Sequence, residues 1–168
     1  KENKKKVIGI YGEGFYARET FVKHDVIIKG RAIENSLLKF FGRYINARKD
    51  LNFFIFPHYA RGVESVEGAE RFYCDLLEND NCRLNPIYKK SSDEFENIDL
   101  GIVIRSNIFW DRAFEGHRTL MINPFMASDF LEKTVLKRAI LDIGATNFES
   151  QLDQIIDSGL DFNFANDI

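Results

Sequence analysis

The side chains best suited to chemistry fall in three short segments, each just after a run of apolar residues. The first is Tyr11-Gly12-Glu13-Gly14-Phe15, whose two glycines let backbone amides approach a phosphate or a sugar. A dinucleotide fingerprint would need a third glycine where the chain has Ala17, so the segment reads equally as a tight turn without a ligand. The second is Pro57-His58-Tyr59-Ala60-Arg61. A ring nitrogen of His58 can donate to a diphosphate, and Arg61 can clamp it in bidentate fashion. The bland alternative is a surface loop with incidental polar groups. The third is Arg105-Ser106-Asn107-Ile108-Phe109-Trp110-Asp111. Here the Ser106 hydroxyl and the first amides of a following helix would form an anion site, with Arg105 adding charge. Asp111, about one turn further on, would accept hydrogen bonds from ribose hydroxyls. An N-cap serine and an ordinary exposed aspartate are the alternative. Glu13 and Glu19 are weaker candidates for a base, His24 has no partner pattern, and His117 precedes a strand. No paired carboxylates, nucleophile elbow, Walker loop, HExxH or zinc-ligand spacing is present in the sequence.

These segments need a scaffold, and the hydrophobic pattern supplies one. Short apolar runs at 7–11, 51–56, 82–87, 100–104 and 119–122 read as buried strands. Val26 to Ile28 is a further short strand or part of a loop. Between the runs the period becomes helical. Ile33, Leu37, Phe41 and Ile45 form one stripe, and Val66, Ala69, Tyr73 and Leu76 another. Ser91-x-x-Glu94 and Thr146-x-x-Glu149 have the form of capping boxes, the second followed by Leu152, Ile155 and Ile156. Residues 128–141 also read as a helix. The three prolines, Pro57, Pro86 and Pro124, punctuate strand ends. Alternating strands and helices predict an α/β, Rossmann-like doubly wound parallel sheet of five to six strands. Helices would cover both faces, with a C-terminal helical pair. Ligands bind beyond the carboxyl ends of the strands in such sheets, where all three segments fall.

Composition bounds the partners. The chain has 168 residues, 45% of them hydrophobic, with 16 Phe, so it can bury a substantial core. Its 23 basic and 26 acidic residues give a net charge of −3, which argues against a nucleic-acid binder. No apolar stretch is long enough for a transmembrane helix. Two cysteines, Cys74 and Cys82, exclude a disulfide scaffold and point to a reducing, cytoplasmic setting. Residue 1 is Lys and the only methionines are Met121 and Met126, so the expectation is a single domain over 1–168 cut from a longer, two-domain protein.

The segments VIGIYGEG (7–14), FPHYARG (56–62) and DLGIVIRSNIFWDRAFEGHRTLMINPF (99–125) together resemble the C-terminal, donor-binding half of GT-B glycosyltransferases. More narrowly, they resemble bacterial transferases that build capsule or other surface polysaccharide. In that register Ser106 matches the first serine of a Ser-Ser/Thr pair, Gly116 the glycine before the next strand, and Asp111 the carboxylate facing the ribose. Departures are Tyr59 where a proline follows the histidine, Asn107 for Ser/Thr, Asp111 for Glu, and Arg118 for Pro. The resemblance implies a metal-independent transferase with no cofactor beyond its nucleotide-sugar substrate. Gly12, Gly14, His58, Arg61, Arg105, Ser106, Asn107 and Asp111 would bind the donor. An N-terminal acceptor domain or partner chain would complete activity, in the cytoplasm or at the inner membrane surface. The alternatives are a non-catalytic Rossmann-like interaction module and half of a sugar-nucleotide epimerase.

Overall fold

The computed structural model describes residues 4–12, 21–23, 26–28, 30–57, 66–86, 88–104, 106–123, 140–142 and 147–158. In chain order the elements are β1 (Val7–Tyr11), β2 (Phe21–Lys23), β3 (Val26–Ile28), α1 (Gly30–Ala47), β4 (Asn52–Phe56), α2 (Val66–Phe72), α3 (Cys74–Leu77) and β5 (Cys82–Leu84). A 3-10 helix (Ser91–Asn97), β6 (Leu100–Ile104), α4 (Ile108–Phe114), β7 (Thr119–Asn123), β8 (Ile140–Asp142) and α5 (Phe148–Ser158) follow.

Six strands form one sheet in the order β5-β4-β1-β6-β7-β8, and every neighbouring pair is parallel. Numbered among themselves along the chain, the strands run 3-2-1-4-5-6, the doubly wound Rossmann order. The order reverses between β1 and β6, whose register pairs Ile8 with Leu100 and Gly9 with Gly101. β2 and β3 pair antiparallel with each other in a separate two-stranded ribbon.

Strand alternation sends successive side chains to opposite faces, and each face has its own core. On one face, Ile8 and Ile10 of β1, Phe53 and Ile55 of β4, and Ile102 and Ile104 of β6 are buried together. The helical stripes close over them: Leu37, Phe41, Tyr44 and Ile45 of α1, Ala69 of α2, Leu76 of α3, and Phe148, Leu152, Ile155 and Ile156 of α5. On the other face, Tyr11, Phe54, Phe56, Val103 and Met121 pack with Phe95 of the 3-10 helix, Ile98 and Phe109 of α4.

The second core contains a cation. Arg112 of α4 is fully buried beneath its helix. Gly101 makes room for it, and Gly9 beside it makes room for the Tyr11 ring and Ile98. A Cβ on Gly101 would run into the Arg112 guanidinium, and one on Gly9 would come within 3.0 Å of the Tyr11 ring.

Three local expectations change. The stripe from Val66 to Leu76 is divided at Tyr73 into α2 and α3. Ser91 opens a 3-10 helix, but Lys90 is its N-cap and no side chain caps it. The would-be box carboxylate, Glu94, is instead buried and paired with Lys89. Of the expected C-terminal helical pair, α5 is present, but Ile140 and Leu141 belong to β8, so no helix reaches 141. Residues 128–139 and Thr146 lie outside the described residues.

Candidate functional site

The carboxyl ends of β1, β4, β5 and β6 open into a cleft of about 390 Å³ at the switch point. Tyr11 and Gly12 follow from β1, Phe56 and Pro57 from β4, and Asn85 from the end of β5. Lys89, Lys90 and Ser91 line one wall, and Ser106, Asn107, Ile108 and Asp111 line the wall beyond β6. Four sequence-predicted site residues, Gly12, Ser106, Asn107 and Asp111, therefore share one cavity. Gly14, His58, Arg61 and Arg105 lie outside the described residues, as do Glu13, Glu19 and His24.

Local geometry refines the expected roles. The Gly12 amide donates to the Phe56 carbonyl at 3.0 Å, extending the β1–β4 ladder by one residue. That N–H is committed to the ladder, so Gly12 contributes the absence of a side chain. Beyond β6 the chain turns straight into α4. Phe109 N donates to Ser106 O at 3.1 Å, and Trp110 N and Asp111 N donate to Asn107 O at 2.9 and 3.3 Å. The amides expected to hold an anion are thus largely closed within the first turn. Ile108 N lies 3.5 Å from Ser106 Oγ, and the N-cap is Asn107, with no side-chain cap bond. The Ser106 hydroxyl and the exposed Asn107 and Asp111 side chains present the polar chemistry of this wall.

Sequence patterns alone miss the opposite wall. Asn85 N donates to Ile55 O at 2.8 Å, and Asn85 Nδ2 donates to Lys89 O at 2.8 Å. Lys89 N donates to Pro86 O at 3.0 Å, and Asp93 N to Lys90 O at 3.2 Å. Lys89 pairs with buried Glu94, whose other oxygen accepts from Asn97 Nδ2 at 3.1 Å. A signal is present: Asn85-Pro86 stands near the end of the 82–87 run, which the structure closes at Leu84, so the rule that locates the other segments applies here too. The run is short and weakly apolar, however, and Ser91 has the look of a helix cap.

Under the cleft, the Tyr11 ring stacks on Phe56 with centroids 4.3 Å apart and planes 8° apart. Its hydroxyl accepts from Arg112 Nη1 at 3.0 Å. Burial pushes the Tyr11 phenol up to about 12, although Arg112 pulls the other way. The same burial lowers the pKa of Arg112. Beyond Lys89, a neighbouring cavity of about 600 Å³ is lined by Phe54, Arg83, Pro86 and Tyr88, among others. A third, of about 410 Å³, lies at the opposite sheet edge among Lys4, Lys5, Lys6, Asp50 and Asp157. It is remote from the carboxyl ends of the strands. His117 stands before β7, as expected, with its ring edge-on to Phe95 at 5.6 Å.

Among the described residues no cluster of three or more His, Cys, Asp or Glu is placed to hold a metal ion. Among them, too, no helix is long and apolar enough to cross a membrane. The chain matches no protein-family model, and neither the curated proteins nor the solved structures contain a significant match to it.

Proposed function

We propose that the chain is the donor-binding domain of a metal-independent glycosyltransferase of surface polysaccharide biosynthesis, holding a nucleotide-sugar in the switch-point cleft. One observation carries this reading: Gly12 of the first sequence segment and Ser106, Asn107 and Asp111 of the third line one cleft where the strand order reverses. In this reading Asp111 accepts hydrogen bonds from ribose hydroxyls, and Ser106 and Asn107 donate toward the phosphates. The bond between the sugar's anomeric carbon and the phosphate oxygen breaks, and the electron pair leaves with the nucleotide. The acceptor oxygen forms the new bond and loses its proton to a base outside this chain. Donors fixed around the departing phosphate stabilise the charge that develops there. Metal independence rests on the sequence, which carries no Asp-x-Asp motif.

The test is a thermal-shift screen against CMP, UDP, GDP, ADP and their sugar conjugates. A ligand that binds only the folded state raises the melting temperature. One nucleotide is expected to give a clear rise that shrinks in Ser106→Ala, His58→Ala and Asp111→Asn. No rise with any of them at millimolar ligand would sink the reading. A second reading, a non-catalytic interaction module, is favoured by Phe114. Its side chain is 75% exposed and stacks on Trp110 on α4, 6.1 Å between centroids. Association that rises with protein concentration and is weakened by Phe114→Ser, without nucleotide binding, would support that reading instead.

A further inference from the structure

The charge around the cleft differs from that of the chain. The protein is net acidic at −3, yet among the described residues the cleft is lined by two lysines and one carboxylate, Asp111. The lysines are not equivalent. Lys89 is held by buried Glu94, so its charge is balanced behind the wall. Lys90, one residue on, is exposed and forms no ion pair among the described residues. Its backbone is nonetheless fixed. The preceding turn is closed by Asn85 Nδ2 on Lys89 O and by Lys89 N on Pro86 O, and the Lys90 carbonyl accepts from Asp93 N. A cation on a fixed backbone, facing a hydroxyl and an amide across a cleft, suits a phosphorylated ligand. Beneath the floor, fully buried Arg112 donates to Tyr11 and has no ion-pair partner among the described residues, so its charge is a further cation near the cleft.

We propose that Lys90 is the residue that holds the ligand's phosphate charge in this cleft, between the turn after β5 and the Ser106 wall. The proposal rests on the nucleotide-binding reading and adds a residue that the sequence pattern did not single out. It makes the cleft selective for a nucleoside diphosphate over the bare nucleoside.

Isothermal titration of the whole chain tests it with three probes: whichever of UDP, GDP and ADP gives the largest shift in the screen, its nucleoside and inorganic pyrophosphate. The variants are Lys90→Gln, Lys90→Arg and, as a surface control on α1, Lys39→Gln. Lys39 and Lys90 are both exposed, so each variant should fold. Lys90→Gln is expected to weaken the diphosphate and pyrophosphate about 10-fold or more, the scale of one charge-assisted hydrogen bond. The bare nucleoside should be unaffected, Lys90→Arg should largely restore affinity, and Lys39→Gln should match the parent. Equal diphosphate affinity in the parent and Lys90→Gln would overturn the role of Lys90 while leaving the nucleotide reading intact. A parent chain that binds no probe would overturn both.

Discussion

Arg112 donates from all three guanidinium nitrogens, and none of its partners is a carboxylate. Nε reaches Thr119 Oγ1 at 3.3 Å, Nη1 reaches Tyr11 Oη at 3.0 Å, and Nη2 lies 3.4 Å from the carbonyls of Ile98 and Arg118. The Phe95 ring faces it at 4.9 Å, a cation–π contact. Burying a cation costs several kcal/mol, and these contacts must offset that cost. Arg112→Met would remove the charge but leave the Tyr11 hydroxyl and the Ile98 carbonyl without their Arg112 donor, while the Arg118 carbonyl keeps the Gly101 amide at 2.9 Å. Stranded groups cost more than a removed ion recovers, so a loss of about 1–3 kcal/mol is expected in urea denaturation. An unchanged midpoint would mean that desolvation had already cancelled the hydrogen bonds. Gly101→Ala should cost a similar amount, about 1–3 kcal/mol, through overpacking against the guanidinium. The double variant should lose less than the two single losses combined, because the group that the new Cβ meets is gone. Strictly additive losses would refute the contact. None of this is visible in the sequence, where Arg112 follows Asp111 on what reads as a polar helix face. Only the register that sets Gly9 opposite Gly101 reveals the hollow. Ser106 and Asp111 are legible because they follow the strongest strand run, whereas Lys90 follows a short, weak one.

At the scale of elements, α5 is held to α1 in two ways whose magnitudes differ. Arg48, just past α1, contacts Asp50 and Asp157 at 2.9 and 2.8 Å, and also pairs with Asp153. Tyr44 Oη donates to Asp153 at 2.6 Å. Asp50 and Asp157 are 61% and 62% exposed, so screening leaves each of those pairs worth little. Apolar burial contributes more: Leu152 is fully buried and Ile156 nearly so. Leu152→Ala should therefore cost about 2–5 kcal/mol and Arg48→Ala about 1 kcal/mol. Amide exchange in α5 should rise in Arg48→Ala while the sheet stays protected. Reversed magnitudes would put the ion network above the apolar stripe. That stripe is legible because Leu152, Ile155 and Ile156 keep helical spacing. β8 is not, because a short apolar run such as Ile140-Leu141 fits either period and only pairing with β7 decides it. Ser91 misleads for a related reason: a Ser-x-x-Glu pattern says nothing of whether the glutamate is exposed or, like Glu94, buried against a lysine.

At the scale of the molecule, the alternation of strands and helices announces a parallel sheet, but not which edge each strand joins. Strand order depends on which way each crossover turns, and hence on packing between distant segments. That same order places the cleft and divides the interior into two cores, each holding groups that are stable only when protonated. On one face, burial pushes Cys82 from 9.0 up to about 12 and raises Tyr44 as well. On the other, burial raises Tyr11 from 10.0 to about 12. The unfolded chain releases these protons at lower pH than the folded one does. Between about pH 9 and 12 it therefore holds fewer protons, and stability must fall as pH rises. The stabilisation is fully present below about pH 9 and is lost on passing through the folded values near 12. Each titrating group steepens the fall by at most about 1.4 kcal/mol per pH unit. Urea midpoints taken from about pH 8 to about pH 11 should be level at first and then decline. The decline should be shallower in Tyr11→Phe/Cys82→Ala, which removes one titrating group from each face. A profile of the same steepness in that variant would assign the alkaline loss to other groups, and a flat profile in the parent would show that the two cores admit water freely.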